Sequence, residues 1–171
     1  SKYIQGLTHC EDDTYNTGDC YEELTKQSAF KFNNQPGTFK CKQPLCDTCP
    51  YICNVDTISG PKGSAHVTES FTCISEDVIY CIICTQCGKI YIGETGRELG
   101  VRFREHLGNA KNGGSSAIGR HFNLPNHSHH NIRICGVSLD HGNTKNRKCL
   151  QKKLIHELGT LIPDGINLIN A

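Results

Sequence analysis

Two pairs of cysteines carry the clearest chemical signal in the chain. Cys46-Asp47-Thr48-Cys49 and Cys84-Thr85-Gln86-Cys87 each place two thiols two residues apart, a gap that lets both thiolates turn onto one tetrahedral ion. His121 and His127 follow the second pair and complete a four-donor set with Cys84 and Cys87. His129 and His130 are rival donors. Cys41 joins Cys46 and Cys49 in a second cluster, whose fourth donor is Cys53, His66 or Cys73. Twelve cysteines in 171 residues would also suit a secreted disulfide scaffold, but CxxC spacing beside histidines favours zinc and a reducing compartment. Four protein ligands leave no open coordination position, so each ion would be structural. Two zinc ions per chain are expected. Cys81, Cys135 and Cys149 read as small core residues, and Cys10 and Cys20 have no assigned role.

A second set of residues can do chemistry on a phosphodiester. Tyr80 and Tyr91 flank the second cysteine pair, and Arg102 and His106, four apart, share one face of a helix. Hydrolysis of a phosphodiester needs an activated water, a cation at the developing charge and a proton for the leaving oxygen. Val78-Ile79-Tyr80, Tyr91-Ile92-Gly93, Arg102 and His106, in that order, resemble the GIY-YIG nuclease signature, with valine in place of the first glycine. The resemblance implies that both tyrosines lie at one site with a phenol helping to activate water. It implies that Arg102 holds the scissile phosphate and that His106 assists proton transfer or phosphate contact. Cys84, Cys87, His121 and His127, set within this signature, resemble the CCHH finger of endonucleases from Penelope-like retroelements. That family has a comparable cysteine just before its first strand, which selects Cys73 as fourth ligand of the second site.

The same resemblance implies an acidic residue on a late helix, where it binds Mg²⁺ or Mn²⁺. Aligned through Leu154-Ile155-His156-Glu157-Leu158-Gly159-Thr160, that position is Gln151. A glutamine offers an oxygen but no charge, and a hard cation prefers carboxylate. Either a lineage has lost cleavage or a glutamate has been replaced; the isosteric swap in an intact motif favours the second. Glu157 is a fallback carboxylate on a different helix face. Asn167 resembles a late asparagine of the family and is expected to support the site.

The elements that must position these residues are legible from periodicity. Val78–Cys84 is a β-branched apolar run that fits a buried strand, residues 85–89 form a knuckle, and Ile90–Gly93 returns as its hairpin partner. Thr95-Gly96-Arg97-Glu98 has the form of a capping box, with Leu99, Phe103 and Leu107 as the core stripe of the helix that follows. Residues 109–116 are a loop, 117–122 a short helix at most, and 132–137 a third strand. Thr144 is expected to cap a last helix through Leu158, with Leu150, Leu154, Ile155 and Leu158 inward and Gly159 at its end. The expected fold is α+β: a small three-stranded antiparallel sheet flanked by helices, the GIY-YIG fold, with an N-terminal cysteine-rich zinc-binding segment.

Three segments follow: an acidic extension over 1–36, the cysteine-rich segment over 37–75, which lacks the apolar residues for a core of its own, and an endonuclease domain over 76–171. The net charge of +1 hides an uneven spread. Residues 1–25 hold one basic and six acidic side chains, residues 78–171 twelve basic and six acidic, so the C-terminal part is the one suited to a polyanion. Lys89, Arg97, Arg104, Lys148 and Lys152 are the candidate DNA contacts; Lys145, Arg147 and Lys153 decorate the same last helix as phosphate contacts or an ordinary solvated face. The chain begins at Ser1 and contains no methionine, which suggests a piece of a longer polypeptide. No apolar run reaches membrane-spanning length. The reading is a metal-dependent, nuclear DNA endonuclease that nicks DNA for retroelement insertion, alongside a reverse transcriptase domain and its RNA template, and impaired by Gln151. The alternative is a non-catalytic zinc-dependent nucleic-acid-binding module.

Overall fold

A computed structural model describes residues 35–169; Cys10, Cys20 and nearly all of the acidic extension lie outside them. The centre is a three-stranded antiparallel sheet of β5 (Val78–Cys84), β6 (Ile90–Thr95) and β7 (Ile132–Leu139), in the order β6-β5-β7. β5 is central and apolar along nearly its whole length because both of its faces are covered. One face carries Val78, Tyr80 and Ile82 against α1 (Leu99–Asn112) and α2 (Ala117–His121), through Leu99, Phe103, Leu107, Ile118 and Phe122. The other carries Ile79 and Cys81 against Leu154, Ile155 and Leu158 of α3 (Thr144–Leu158). The architecture expected from the sequence is the one observed, helix on sheet on helix.

The cysteine-rich segment builds four short strands: β1 (Gly37–Thr38), β2 (Thr57–Ser59), β3 (Ser64–His66) and β4 (Ser70–Phe71). They pair among themselves, β1 with β4 in parallel and β2 with β3 as a hairpin. The segment then completes both cores: Val67 and Phe71 enter the α1 side, Ile58 and Ala65 the α3 side. It also covers the free edge of β7. The Cys53 N–H donates to the Ile134 carbonyl at 2.9 Å, and the Gly136 N–H donates to Thr38 Oγ1 at 2.8 Å. A Cβ on Gly136 would lie 2.2 Å from the Phe71 ring, so only glycine lets that ring lie on the strand.

Both helix starts differ from expectation. Thr95 is the last residue of β6, and its hydroxyl accepts from the Arg97 N–H at 3.0 Å; α1 begins at Leu99 without a side-chain cap. Its first donors are satisfied by distant backbone instead: Leu99 N–H on the Ser75 carbonyl at 2.8 Å and Gly100 N–H on the Cys73 carbonyl at 2.7 Å. The cap of α3 is Asn143 rather than Thr144, its side chain accepting from the Asn146 N–H. Gly159 ends α3 in the left-handed conformation, as its type requires. Cys81 and Cys135 are buried in the core, whereas Cys149 is half-buried and disulfide-bonded.

Candidate active site and metal centres

Tyr80 stands at the centre of β5 with a glycine beside it on each neighbouring strand, Gly93 and Gly136. A Cβ on Gly93 would lie 2.3 Å from the Tyr80 hydroxyl, so the glycine is what allows the phenol to cross β6 towards the sheet edge. There it meets α1. Arg102 Nε donates to the Tyr80 oxygen at 3.2 Å, and the same hydroxyl lies 2.6 Å from His106 Nε2. The phenol thus accepts from Arg102 and shares a second short hydrogen bond with the imidazole. Burial keeps the imidazole neutral, and its Nδ1 is buried with no hydrogen-bond partner among the described residues. Tyr91 closes the group, its ring 6.4 Å from Tyr80 and 5.5 Å from His106.

Electrostatics keep this cluster neutral except for Arg102. Burial, with Tyr91 adding to it, pushes the Tyr80 phenol up, while Arg102 pulls it the other way. Burial and then the Arg102 charge lower His106 to about 3. Arg102 is one-third exposed and turns Nη1 to Glu105 at 2.6 Å; Glu105 also binds Arg97 at 2.7 Å. A cation at the mouth and a neutral phenol–imidazole pair behind it can receive an anionic oxygen and move a proton.

Gln151 lies across the β6 edge. Its Nε2 donates to the Ile92 carbonyl at 3.1 Å, next to Tyr91. Asn167 is fully buried and behaves as a missing strand partner: Oδ1 accepts from the Ile92 N–H and from Thr160, and Nδ2 donates to the Ile92 carbonyl. This setting does not fit a hard divalent cation. The amide presents its donor to a backbone carbonyl, and the only clusters of metal-ligating residues among the described residues are the two thiolate-rich ones. Glu94 is the carboxylate nearest in sequence to this edge, but it accepts from Arg147 Nε at 3.2 Å. Arg147 is buried, and also binds Asp77 at 2.8 Å and Thr144 at 3.2 Å. It is therefore neither a phosphate contact nor a solvated charge. Sequence reasoning missed this network; the one available signal was an arginine one helical turn before Gln151.

The two cysteine clusters have geometry suited to tetrahedral metal. Ligand atoms of Cys84, Cys87, His121 and His127 lie within 4.8 Å of one another, as do those of Cys41, Cys46, Cys49 and Cys73. His127 Nδ1 donates to the Pro125 carbonyl at 2.9 Å, which leaves Nε2, buried and without a partner, as the ligand lone pair. The rival donors His129 and His130 stack on each other at 4.0 Å. In the second cluster, burial pushes the Cys46 thiol up, but hydrogen bonds from the Thr48 and Cys49 backbone and from the Cys41 and Cys49 thiols together draw it down to about 7. Cys53 stands apart, beside Cys135, and His66 bonds to Thr57. Both sets suit zinc. The second also reaches α1, because the Cys73 carbonyl and the Thr48 hydroxyl hold the first turn of the helix that carries Arg102 and His106.

The candidate DNA contacts do not form one surface. Lys89 donates to the Pro163 carbonyl and Arg97 pairs with Glu105. Arg104 is exposed on α1, while Lys148 and Lys152 are exposed on α3, across the sheet. No helix among the described residues is long and apolar enough to cross a membrane.

Residues 76–133 match the family model of the GIY-YIG catalytic domain. The matched span holds both tyrosines, Arg102, His106 and the Cys84/Cys87/His121/His127 set, and it ends before α3, Gln151 and Asn167. No curated protein and no solved structure matches the chain.

Proposed function

We propose that the sheet and its helices form a DNA-nicking endonuclease domain of a retroelement, with catalysis impaired by Gln151. The observation that carries this reading is the Tyr80–Arg102–His106 contact set on a hairpin and helix matched to a nuclease catalytic domain. In the proposed reaction Arg102 binds the scissile phosphate. A water oxygen attacks phosphorus as the P–O bond to the leaving oxygen breaks; the water gives its proton to the Tyr80 oxygen while the phenol passes its own to His106 Nε2, and the leaving oxygen takes up a proton from solvent at the exposed mouth beside Arg102. Tyr91 excludes bulk water, and Asn167 fixes the β6 edge. The two zinc ions brace the hairpin tip and the start of α1 without taking part. Lys148 and Lys152 are proposed DNA contacts apart from the cleavage face. Retroelement insertion, with a nuclear setting and a neighbouring reverse transcriptase and its RNA template, rests on the likeness of the CCHH set to Penelope-like endonucleases.

A second reading, a non-catalytic zinc-dependent nucleic-acid-binding module, is favoured by one contact, the Gln151 amide on Ile92. A glutamate there cannot donate to that carbonyl and turns its charge outward. The lost hydrogen bond costs about 1 kcal/mol, and Asn167 still serves the Ile92 carbonyl. Gln151→Glu is therefore expected to fold and to nick supercoiled DNA with added Mg²⁺ or Mn²⁺, where the parent chain does not. Equal inactivity of both folded proteins would leave the binding module as the correct reading.

A further inference from the structure

Thr95-Gly96-Arg97 has the spacing of a helix cap but builds something else. Thr95 is buried; its hydroxyl accepts from the Arg97 N–H at 3.0 Å and donates to the Arg97 carbonyl at 3.2 Å. The turn between β6 and α1 is thereby fixed, with the exposed Arg97 side chain reaching α1. Arg97 Nη1 lies 2.7 Å from Glu105 Oε1, and the other oxygen of the same carboxylate takes Arg102 Nη1 at 2.6 Å. One carboxylate thus holds two guanidinium groups, one on each oxygen. Arg102 is pinned a second time, because its Nε donates to Tyr80 at 3.2 Å. A planar guanidinium held at two of its nitrogens cannot turn, so its remaining donors keep one direction.

A carboxylate in contact with Arg102 would by itself cancel the charge that has to meet a phosphate. Arg97 offsets it. The Arg97 hydrogen bond is the largest influence on the Glu105 carboxyl, which is held at about 2 with Arg102 adding to the effect and burial opposing it. Two guanidinium groups around one carboxylate leave a net positive charge at the mouth of the site. Exposed ion pairs contribute little to stability, so the triad matters for what it does to Arg102 rather than for the fold. We propose that Glu105 is a positioning residue of the cleavage site, which aims Arg102 at the scissile phosphate, and that Arg97 is the counter-charge that keeps Glu105 from neutralising it. This proposal rests on the reading that Arg102 meets a phosphate of duplex DNA.

The test is a double-mutant cycle on the full chain, read by duplex-DNA anisotropy, with Arg97→Gln, Glu105→Ala and the two combined. Both side chains are exposed, so all three variants should melt with the parent. Arg97→Gln should bind about tenfold more weakly than the parent, because Glu105 then cancels Arg102. With Glu105→Ala already in place, the same change should cost about twofold or less. Equal losses in both backgrounds would show that Arg97 meets DNA by itself and would overturn its role as counter-charge. Positioning has a separate readout, the Nε proton of Arg102 followed by NMR. It should exchange slowly with water in the parent, be broadened by exchange in Glu105→Ala, and be partly recovered in Glu105→Asp. A signal as well protected in Glu105→Ala as in the parent would overturn the positioning role. Either of these failures leaves the functional reading intact, whereas duplex binding that is indifferent to Arg102→Gln would remove that reading and the proposal with it.

Discussion

Tyr80 meets two side chains at its hydroxyl: Arg102 Nε donates to its oxygen at 3.2 Å, and His106 Nε2 lies 2.6 Å from it. The arrangement holds only while the imidazole is neutral. Burial and Arg102 lower His106 to about 3, against about 6.5 for an unfolded histidine. Between those values the unfolded chain binds a proton that the folded chain refuses, so the stability contribution is complete above pH 6.5 and falls as pH drops towards 3. The loss attributable to this one group is about 2 kcal/mol between pH 6.5 and pH 5. The other charged groups facing it, Arg102 and Glu105, stay ionised across that range. Denaturant unfolding of the parent and of His106→Gln at both pH values isolates the effect, because the zinc ligands' own acid sensitivity is common to both proteins. The parent should lose more stability than the variant; parallel losses would show that the imidazole is not held neutral by the fold.

Among the elements, α3 is fixed by charge as well as by its apolar face. Arg147, with a side chain 7% exposed, ties it to Asp77 at the start of β5 and to Glu94 on β6. A Cβ on Gly96 would lie 2.6 Å from Arg147 Nη2, so the turn after β6 leaves room for the guanidinium. Arg147→Leu strands two carboxylates and should cost about 3–5 kcal/mol in denaturant unfolding, with Glu94→Gln in the same chain recovering part of it. A loss below about 1 kcal/mol would mean that water already screens the pair. Such a network is invisible to periodicity, since its partners are 53 and 70 residues apart. The strands were legible because β-branched runs bounded by a CxxC knuckle admit few alternatives. The Tyr80, Tyr91, Arg102 and His106 grouping was legible because its order and spacing repeat a known signature. The capping box at Thr95 failed because the acceptors for the α1 donors are carbonyls of Cys73 and Ser75, which no local pattern encodes. At α3, Asn143 and Thr144 can both cap, and spacing does not choose between them.

On the scale of the molecule, the boundary between the cysteine-rich segment and the α+β domain that follows is one of sequence composition, and packing crosses it on both faces of the sheet. Phe71 occupies the space above Gly136, Ile58 and Ala65 fill the α3 core, Thr38 and Cys53 bond the β7 edge, and Cys73 closes the start of α1. Removing residues 1–75 would expose an apolar sheet edge, open cavities on both faces and leave α1 with unsatisfied donors, costs that add well beyond the about 5–15 kcal/mol that stabilises a domain of this size. A fragment spanning 76–171 is therefore expected to lack a cooperative thermal transition. The full chain should carry two zinc ions by elemental analysis and unfold in one step. Cys46→Ser should drop the count to one and loosen α1, seen as faster amide exchange at Arg102 and His106, while the hairpin tip with Cys84 and Cys87 stays protected. If the 76–171 fragment instead melts cooperatively with one bound zinc, the cysteine-rich segment is an appendage, and the support it gives to the helix bearing Arg102 is dispensable.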